Sequence, residues 1–421
     1  MSSFNTSTSH PLIPNSNQYY IEKKYVSIHS EDRDIIKYPI ASEFEIELPQ
    51  DYLNVKSVRL STWSFPANYN VFSPENYNTA LTFKFITLYN PGEHSYSDPL
   101  TEAIFAGLYN NIGNQSIITI ETGFYNPDQM ATELTNKLNE NVSSYLIEFF
   151  TNTPAYNYAL ALFTGYDRFK VVYNSVGQKL WFGNTADKFE LTNDYISIFN
   201  SKIIGASCIR KDQLPSSSNW GLPSFLGFSR CPVTALSTVD VAKATNTINE
   251  IIFGINPDIG NIVEGVPRFF YGDVNPGDNG YWLVPVLPGA VVYFIEAPAK
   301  ISFMGPAYIY LDIDGLNCID ETSPYNVSQF TAQTNETNGR VNSSFAKIAI
   351  PTTPISQWFD KSLGQEPFKY FNPPAERIRK IKCKLRYHNG QRVDFGVFEY
   401  SFLLEFTLLR PQNERKYTIV T

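Results

Sequence analysis

Carboxylates two residues apart on an extended chain share a face. Asp312–Ile313–Asp314–Gly315, with Asp320 and Glu321 just after, is where this sequence best offers such a pair to a divalent cation. A calcium loop needs more oxygens at fixed spacing, a bidentate carboxylate among them, so we read the segment as a strand ending in an Asp–Gly turn. Glu31–Asp32–Arg33–Asp34 has the residue types of a general acid and base. We read it as a charged turn whose Asp side chains accept from nearby backbone N–H groups. The four histidines, His10, His29, His94 and His388, stand far apart in polar or turn-like contexts. No G-x-S-x-G elbow, H-E-x-x-H, P-loop or G-x-G-x-x-G occurs. We therefore expect no enzyme, no metal and no cofactor. A β-sandwich hydrolase would require two carboxylates converging across a cleft about 5 to 10 Å wide, which only a fold can assemble.

Charge also alternates with apolar residues in two segments that read as strands. In SEFEIELP, residues 42–49, Phe44, Ile46 and Leu48 alternate with Glu43, Glu45 and Glu47, and Pro49 is expected to stop the run. In ERIRKIKCKLRYHNGQRVDF, Ile381, Cys383, Leu385 and Tyr387 alternate with Lys380, Lys382, Lys384 and Arg386. The Asn389–Gly390 pair that follows signals a type I′ hairpin. Nucleic acid would want exposed aromatics interleaved with the basic stripe from Arg377 to Arg386, and here the aromatic and apolar partners lie on the opposite face. A solvated face, or one meeting an acidic partner, suits the stripe better. If the two strands pair, Glu43, Glu45 and Glu47 lie opposite Lys380, Lys382 and Lys384 as cross-strand charge pairs. These six are the candidate interaction residues.

The elements that would position them are mostly strands. Of the 421 residues, 15% are aromatic, with 27 Tyr and 31 Phe, which favours pleated, half-buried strands, and the length suits one large or two medium domains. NVKSVRLSTWSFP places Val58, Leu60 and Thr62 on one face, and LTFKFITL does the same with Leu81, Phe83 and Phe85. A helix is expected over 127–139: Asn126 is a good N-cap, Pro127 suits the first helical position, Gln129 completes a capping box, and Met130, Leu134 and Leu138 form one stripe. RFKVVYNSVGQKLWFGN reads as two strands around Gly177, and NWGLPSFLGF, 219–228, as a compact apolar loop. GAVVYFIEA (289–297), AKISFMGPAYIYLDIDG (299–315) and FAKIAIP (345–351) return to β character. FEYSFLLEFTLL then alternates Phe398, Tyr400, Phe402, Leu404, Phe406 and Leu408 against smaller or charged residues.

The fold class expected is mainly β: an antiparallel, jelly-roll-like β-sandwich with an α+β insertion in the middle of the chain. The divisions expected are an extended N-terminal arm over 1–24, a first sandwich part over 25–110, the insertion over 111–284 and a second sandwich part over 285–421. The arm, rich in Ser, Thr and Asn, reads as disordered or as ordering on a neighbouring subunit.

A formal net charge of −8 argues against a nucleic-acid surface. The most apolar run, Trp282–Ile295, is broken by Pro285 and Pro288 and falls short of the roughly 20 residues a membrane helix needs. The first residues lack the basic and apolar regions of a signal peptide. Cys208, Cys231, Cys318 and Cys383 have no metal-ligand spacing and read as reduced thiols.

Taken in order, SEDRDIIKYPIASEFEIELPQDYLNVKSVRLSTWSFP, TGFYNPDQMATELTNKLN, RFKVVYNSVGQKLWF, NWGLPSFLGF and ERIRKIKCKLRYHNGQRVDFGVFEYSFLLEFTLL resemble minor capsid and related virion structural proteins of nucleocytoplasmic large DNA viruses. The resemblance covers most of the chain in outline. It implies a non-enzymatic shell component that bridges or cements capsomers, and it brings no catalytic residues. The implied partners are major capsid protein capsomers and other minor capsid proteins, with self-association allowed and no nucleic acid. Contact with an internal viral membrane is not fixed by it. The implied location is the capsid shell of a virion assembled in the host-cell cytoplasm. Tyr- and Asn-rich loops such as FPANYNVFSPENYN would supply contact area. The alternative is a virion-surface attachment or glycan-binding β-sandwich, which would show exposed aromatic platforms facing a shallow groove.

Overall fold

The computed structural model describes residues 19–67, 69–86, 98–174, 177–193, 221–229, 231–237, 293–322, 341–350, 358–360, 367–388 and 390–411. Residues 1–18 of the expected arm, the start of GAVVYFIEA and Asn389 of the hairpin pair lie outside them. The chain forms two compact units. One comprises Met1–Asn70, Met304–Asn326 and Phe330–Thr421; the other comprises Val71–Phe303 with Val327–Gln329. With strands numbered along the chain, β3 to β10 belong to the second unit.

The first unit is built on β1 (Tyr19–His29), β2 (Glu43–Pro66), β11 (Tyr308–Ile313), β14 (Ala346–Ala349), β15 (Trp358–Asp360), β16 (Phe368–Arg386) and β17 (Ser401–Pro411). They make one antiparallel sheet in the order β1-β17-β2-β16-β11-β14, with β15 also pairing β2, while β12 (Ile319–Thr322) and β13 (Val341–Ser344) form a separate ladder. Residues 19–29 and 401–411, nearly four hundred residues apart in sequence, are thus hydrogen-bonded to one another. Residues 19–24, assigned to the arm above, belong to β1: they make regular rungs with β17 from Tyr19↔Pro411 to Lys24↔Phe406. Arg410 and Lys24 hold Glu22 there at 2.6 and 2.9 Å.

Pro49 does not stop β2, which runs unbroken for 24 residues. The reason is an irregularity in its pairing with β16: rungs run from Lys384↔Glu43 to Lys380↔Glu47 and resume at Ile378↔Tyr52. Pro49, which has no N–H to give, sits in the stretch that makes no rung. A second shift, opposite Leu403 and Leu404 of β17, changes the phase of the buried face. Val58 and Leu60 are buried as expected, but Trp63 and Phe65 continue the core, and Thr62 turns to solvent. Phe44 and Leu48 are buried with Ile46 packed partly against them. Aromatic packing closes this core: Tyr52 stacks on Phe406 at 4.6 Å between centroids, and Tyr400 lies 5.1 Å from Phe65. Phe402, Leu404, Phe406 and Leu408 are buried as the alternation requires. Phe398 is instead half-exposed, because it precedes β17 in a loop turned by Gly396 at φ 63°.

In the second unit, β3 (Ala80–Phe85), β4 (Ser116–Thr119), β7 (Phe189–Leu191) and β8 (Val233–Thr234) form one sheet. A second sheet contains β5 (Phe169–Asn174), β6 (Lys179–Asn184), β9 (Leu236–Ser237) and β10 (Tyr293–Glu296). Leu81, Phe83 and Phe85 are buried together, and β5 and β6 pair across Gly177 as expected. Among the described residues two long helices pack in this unit. α1 (Pro99–Asn110) was not expected, although Asp98, which accepts from the N–H groups of Leu100 and Thr101, and Pro99 at the first position are ordinary start signals. α2 (Pro127–Asn152) has the expected capping box but is 26 residues long, twice the expected span. Its stripe continues at intervals of four through Val142, Leu146 and Phe150 across a polar Asn-Glu-Asn stretch. That helix also covers the outer edge of β5. Asn139 donates to the Phe169 carbonyl and accepts its N–H, both at 2.9 Å, and Thr135 Oγ1 accepts the Val171 N–H. Side chains of the helix thereby satisfy backbone groups that an edge strand would otherwise present to another chain.

The segment at 219–228 is more ordered than a loop: α3 (Gly221–Phe225) buries Leu222, followed by buried Leu226 and Phe228. Gly227 follows it with φ 90°, and a Cβ there would stand 2.2 Å from the Ala299 carbonyl oxygen. Gly113 also has positive φ, 78°, but nothing lies within 4 Å of its would-be Cβ. Gly113→Ala should therefore cost only the left-handed backbone penalty of about 1 to 2 kcal/mol. Gly227→Ala should lower the thermal midpoint markedly further, and equal shifts would show that the approach of the 299 segment is not tight.

Candidate interaction surface

The charged faces of β2 and β16 meet in the register that their alternation predicts: Lys380↔Glu47, Lys382↔Glu45 and Lys384↔Glu43. The close contacts are partly diagonal. Lys380 Nζ lies 3.2 Å from Glu47 and 3.6 Å from Glu45, and Lys382 Nζ lies 3.5 Å from Glu43. Arg392 adds a contact to Glu43 at 3.4 Å, while Arg377 and Arg379 reach Asp51 at 3.6 and 3.9 Å. The pairing irregularity between Ile378 and Lys380 lets both Arg379 and Lys380 join this face while Ile378 and Ile381 stay on the core side. The pairs are largely exposed, so each contributes on the order of 0 to 1 kcal/mol. Their consequence is a basic stripe already matched by carboxylates of the same sheet.

Arg386, the last cation of the stripe by spacing, is not on that exposed surface. It is buried, with Nε 2.6 Å from Asp312 Oδ2 and Nη2 bonded to Glu321 Oε1. His388 Nδ1 lies 3.0 Å from the other Glu321 oxygen, and the guanidinium stands 5.2 Å from the Tyr310 ring centroid. The acidic segment read above as a strand end thus does something the sequence did not reveal: two of its carboxylates converge on one arginine. Burial raises the Asp312 carboxyl above its ordinary range, against the pull of Arg386. Gly315 turns the chain at φ 78°. Among the described residues no group of three or more His, Cys, Asp or Glu could hold a metal ion.

The Glu31–Asp34 run is a turn in which Asp34 Oδ1 accepts the N–H groups of Ile36 and Lys37, as expected. Arg33 goes further. It donates to both oxygens of Glu399 at 2.6 and 2.7 Å and to the carbonyls of Ser30 and Tyr38, tying this loop to the one before β17. The two tied loops expose apolar tips, with Ile36 94% and Val397 92% accessible. The loop FPANYNVFSPENYN, expected to offer aromatic contact area, mostly turns inward: Tyr69, Phe72 and Asn78 are buried, and Asn78 bonds to Ser73 N–H and the Val71 carbonyl. Of its rings, Tyr77 is about half exposed.

One buried polar constellation escaped sequence reading. In the second unit Asp187 Oδ2 accepts from Tyr166 OH at 2.8 Å and from Arg168 at 3.1 Å, and Asn184 donates to the same Tyr166 oxygen. Asn184 Oδ1 accepts the Ala186 and Asp187 N–H groups, so the cluster fixes the 184–187 turn. Burial pushes the Tyr166 hydroxyl well above its usual value, so it remains a donor. The residues are sealed in the interior, and we read them as structural.

The described strands make a mainly antiparallel β protein, as read from the sequence. Over 103 residues the chain is 31% identical to the penton capsid protein P1 of Paramecium bursaria Chlorella virus 1, a match to 24% of this chain and 53% of that protein. The chain thus spans about half the length of the curated relative it matches. This bears out the resemblance to virion structural proteins of large DNA viruses. No protein-family model matches. Among solved structures, a chain of the Sputnik virophage is similar at TM-score 0.39 and 13% identity, covering 92% of this chain and 98% of that one. The mavirus penton protein is similar at TM-score 0.37 and 10% identity, covering 93% and 100%. Both scores lie below 0.5, and neither likeness carries weight for the fold or its role.

Two outcomes follow from the electrostatics. Arg386→Ala leaves the buried Glu321 and the part-buried Asp312 without their cation and should cost about 3 kcal/mol in denaturant unfolding. Combining Arg386→Met with Asp312→Asn and Glu321→Gln should recover most of it, and a single-variant loss below about 1 kcal/mol would mean that the cluster is hydrated. Glu405 is the second case. Burial raises its pKa, but bonds from Lys23, Arg59 and Tyr25 at 2.9, 2.7 and 3.0 Å outweigh that and lower it overall. Its stabilising contribution is therefore full above the unfolded value of about 4.3 and is lost as pH falls through the lower folded value. The stability gap between the chain and Glu405→Gln should be constant near neutrality and shrink on acidification; a gap independent of pH would discount the charge.

Proposed function

We propose that this chain is a non-enzymatic structural component of the capsid of a large icosahedral DNA virus, one that bridges or cements capsomers. The observation that carries the reading is the 31% identity over 103 residues to a penton capsid protein. The name of that relative favours a position at the vertices over one within the facets. The partners are major capsid protein capsomers, other minor capsid proteins and copies of this chain, and the location is the virion shell after assembly in the host cytoplasm. The fold supports the role through its surface. Glu43, Glu45, Glu47, Lys380, Lys382 and Lys384 form a charged band that partners of mixed charge can match, and the Ile36 and Val397 loop tips offer apolar contacts beside the Arg33–Glu399 tie.

Purified particles fractionated by density should contain the chain at a fixed, low ratio to the major capsid protein. Its loss during particle purification, while the major protein is retained, would remove the shell assignment.

A further inference from the structure

A groove lies where β1 starts and β17 ends. It is walled by Tyr19, Ile21, Leu409, Lys56, Tyr370 and Asn372, and encloses about 330 Å³. These residues come from β1, β17, β2 and β16, four strands adjacent in the sheet, so the groove crosses the strands over three spacings, roughly 14 Å. Its apolar walls face solvent: Ile21 is 58% and Tyr370 54% exposed. Its polar side chains, the Asn372 amide, the Tyr19 and Tyr370 hydroxyls and Lys56, can all donate, and Lys56 Nζ stands 5.8 Å from the Tyr370 ring centroid. Among the described residues no carboxylate lines it. An apolar, aromatic trough with a few donors suits an extended peptide whose carbonyls have no internal hydrogen bonds. It suits a glycan poorly, since carboxylates are the usual acceptors for sugar hydroxyls.

We propose that this groove is the seat for Pro11–Leu12–Ile13–Pro14 of a neighbouring copy of the chain, an inference that rests on the self-associating shell role above. Two prolines three apart fall on one face of a polyproline II helix, and four such residues span about 12 Å, close to the width of the groove. Aromatic grooves recognise this spacing because the proline rings are pre-set and lose little entropy on docking. Four residues, 15–18, separate Pro14 from Tyr19, itself a groove wall. A reversal within those four residues would send the segment back parallel to β1, whereas the groove runs across the strands. A neighbour can lay its segment across the strands. The linker reaches at most about 14 Å, so the two copies must meet at the ends where β1 and β17 pair.

The test uses full-length chains. A tagged copy carrying Ile13→Cys is mixed with an untagged copy carrying Asn372→Cys, oxidised, and run without reductant. The expected product is a cross-link between tagged and untagged copies, about tenfold weaker when Tyr370→Ala is added and lost when Pro11→Ala and Pro14→Ala are added. Mixing either variant with the unsubstituted chain measures background from the exposed thiols Cys231 and Cys318. A yield no higher than that background overturns the proposal. So does a disulfide that forms only within one chain when both cysteines share it, since the occupant would then be the chain's own segment. If the chain proved absent from virions while the cross-link formed, the shell role would fail and the groove assignment would stand.

Discussion

The first unit depends on the pairing of β2 with β16, two long strands separated by some three hundred residues of sequence. Closing so large a loop costs entropy, though that cost grows only with the logarithm of its length. It is offset along two faces at once. On one, Phe44, Val55, Val58, Ile381, Cys383 and Leu385 enter a common core; on the other, Glu43, Glu45 and Glu47 face Lys380, Lys382 and Lys384. The apolar face supplies most of the stability, because exposed ion pairs give little. The charged face supplies register. A slip of one residue would turn every buried side chain outward and set each lysine opposite an apolar residue of β2 instead of a glutamate.

The same pairing makes β2 the central organiser of the sheet. It is long enough to pair β16, β17 and β15 along its length, and its irregularities at Pro49 and opposite Leu403–Leu404 let one chain serve several partners without breaking. Charges near it divide by burial. Glu405 and Arg386 are buried and multiply bonded, so they matter for stability, whereas the exposed ladder remains free to meet another surface. In the second unit, α2 performs an edge-covering task, with Asn139 and Thr135 answering the backbone of β5.

Much of this was legible in residue order. Period-two alternation located the core faces of β2, β3, β16 and β17, and the Asn126–Gln129 capping box marked the start of α2, because these signals act over a few residues. The opposition of the glutamate and lysine runs was also legible, since complementary charges on two amphipathic strands restrict how they can pair. Missed were the phase change that replaces Thr62 by Trp63 and the persistence of β2 through Pro49. Both depend on irregularities in a partner strand hundreds of residues away. α1 and the second half of α2 were missed because the α1 start signals sit in a β-rich context and a polar stretch masks the apolar stripe.

What the sequence determined by itself was therefore local: which residues face inward, where turns fall, which charges can match, and a resemblance to virion structural proteins. Tertiary structure alone decided that Arg386 leaves the basic stripe to clamp Asp312 and Glu321, that Tyr166, Arg168, Asn184 and Asp187 assemble around a turn, and that residues of β1, β17, β2 and β16 come together in a groove. Each of these joins residues from separate strands or segments. Their proximity follows from strand order and burial, which no short-range pattern encodes.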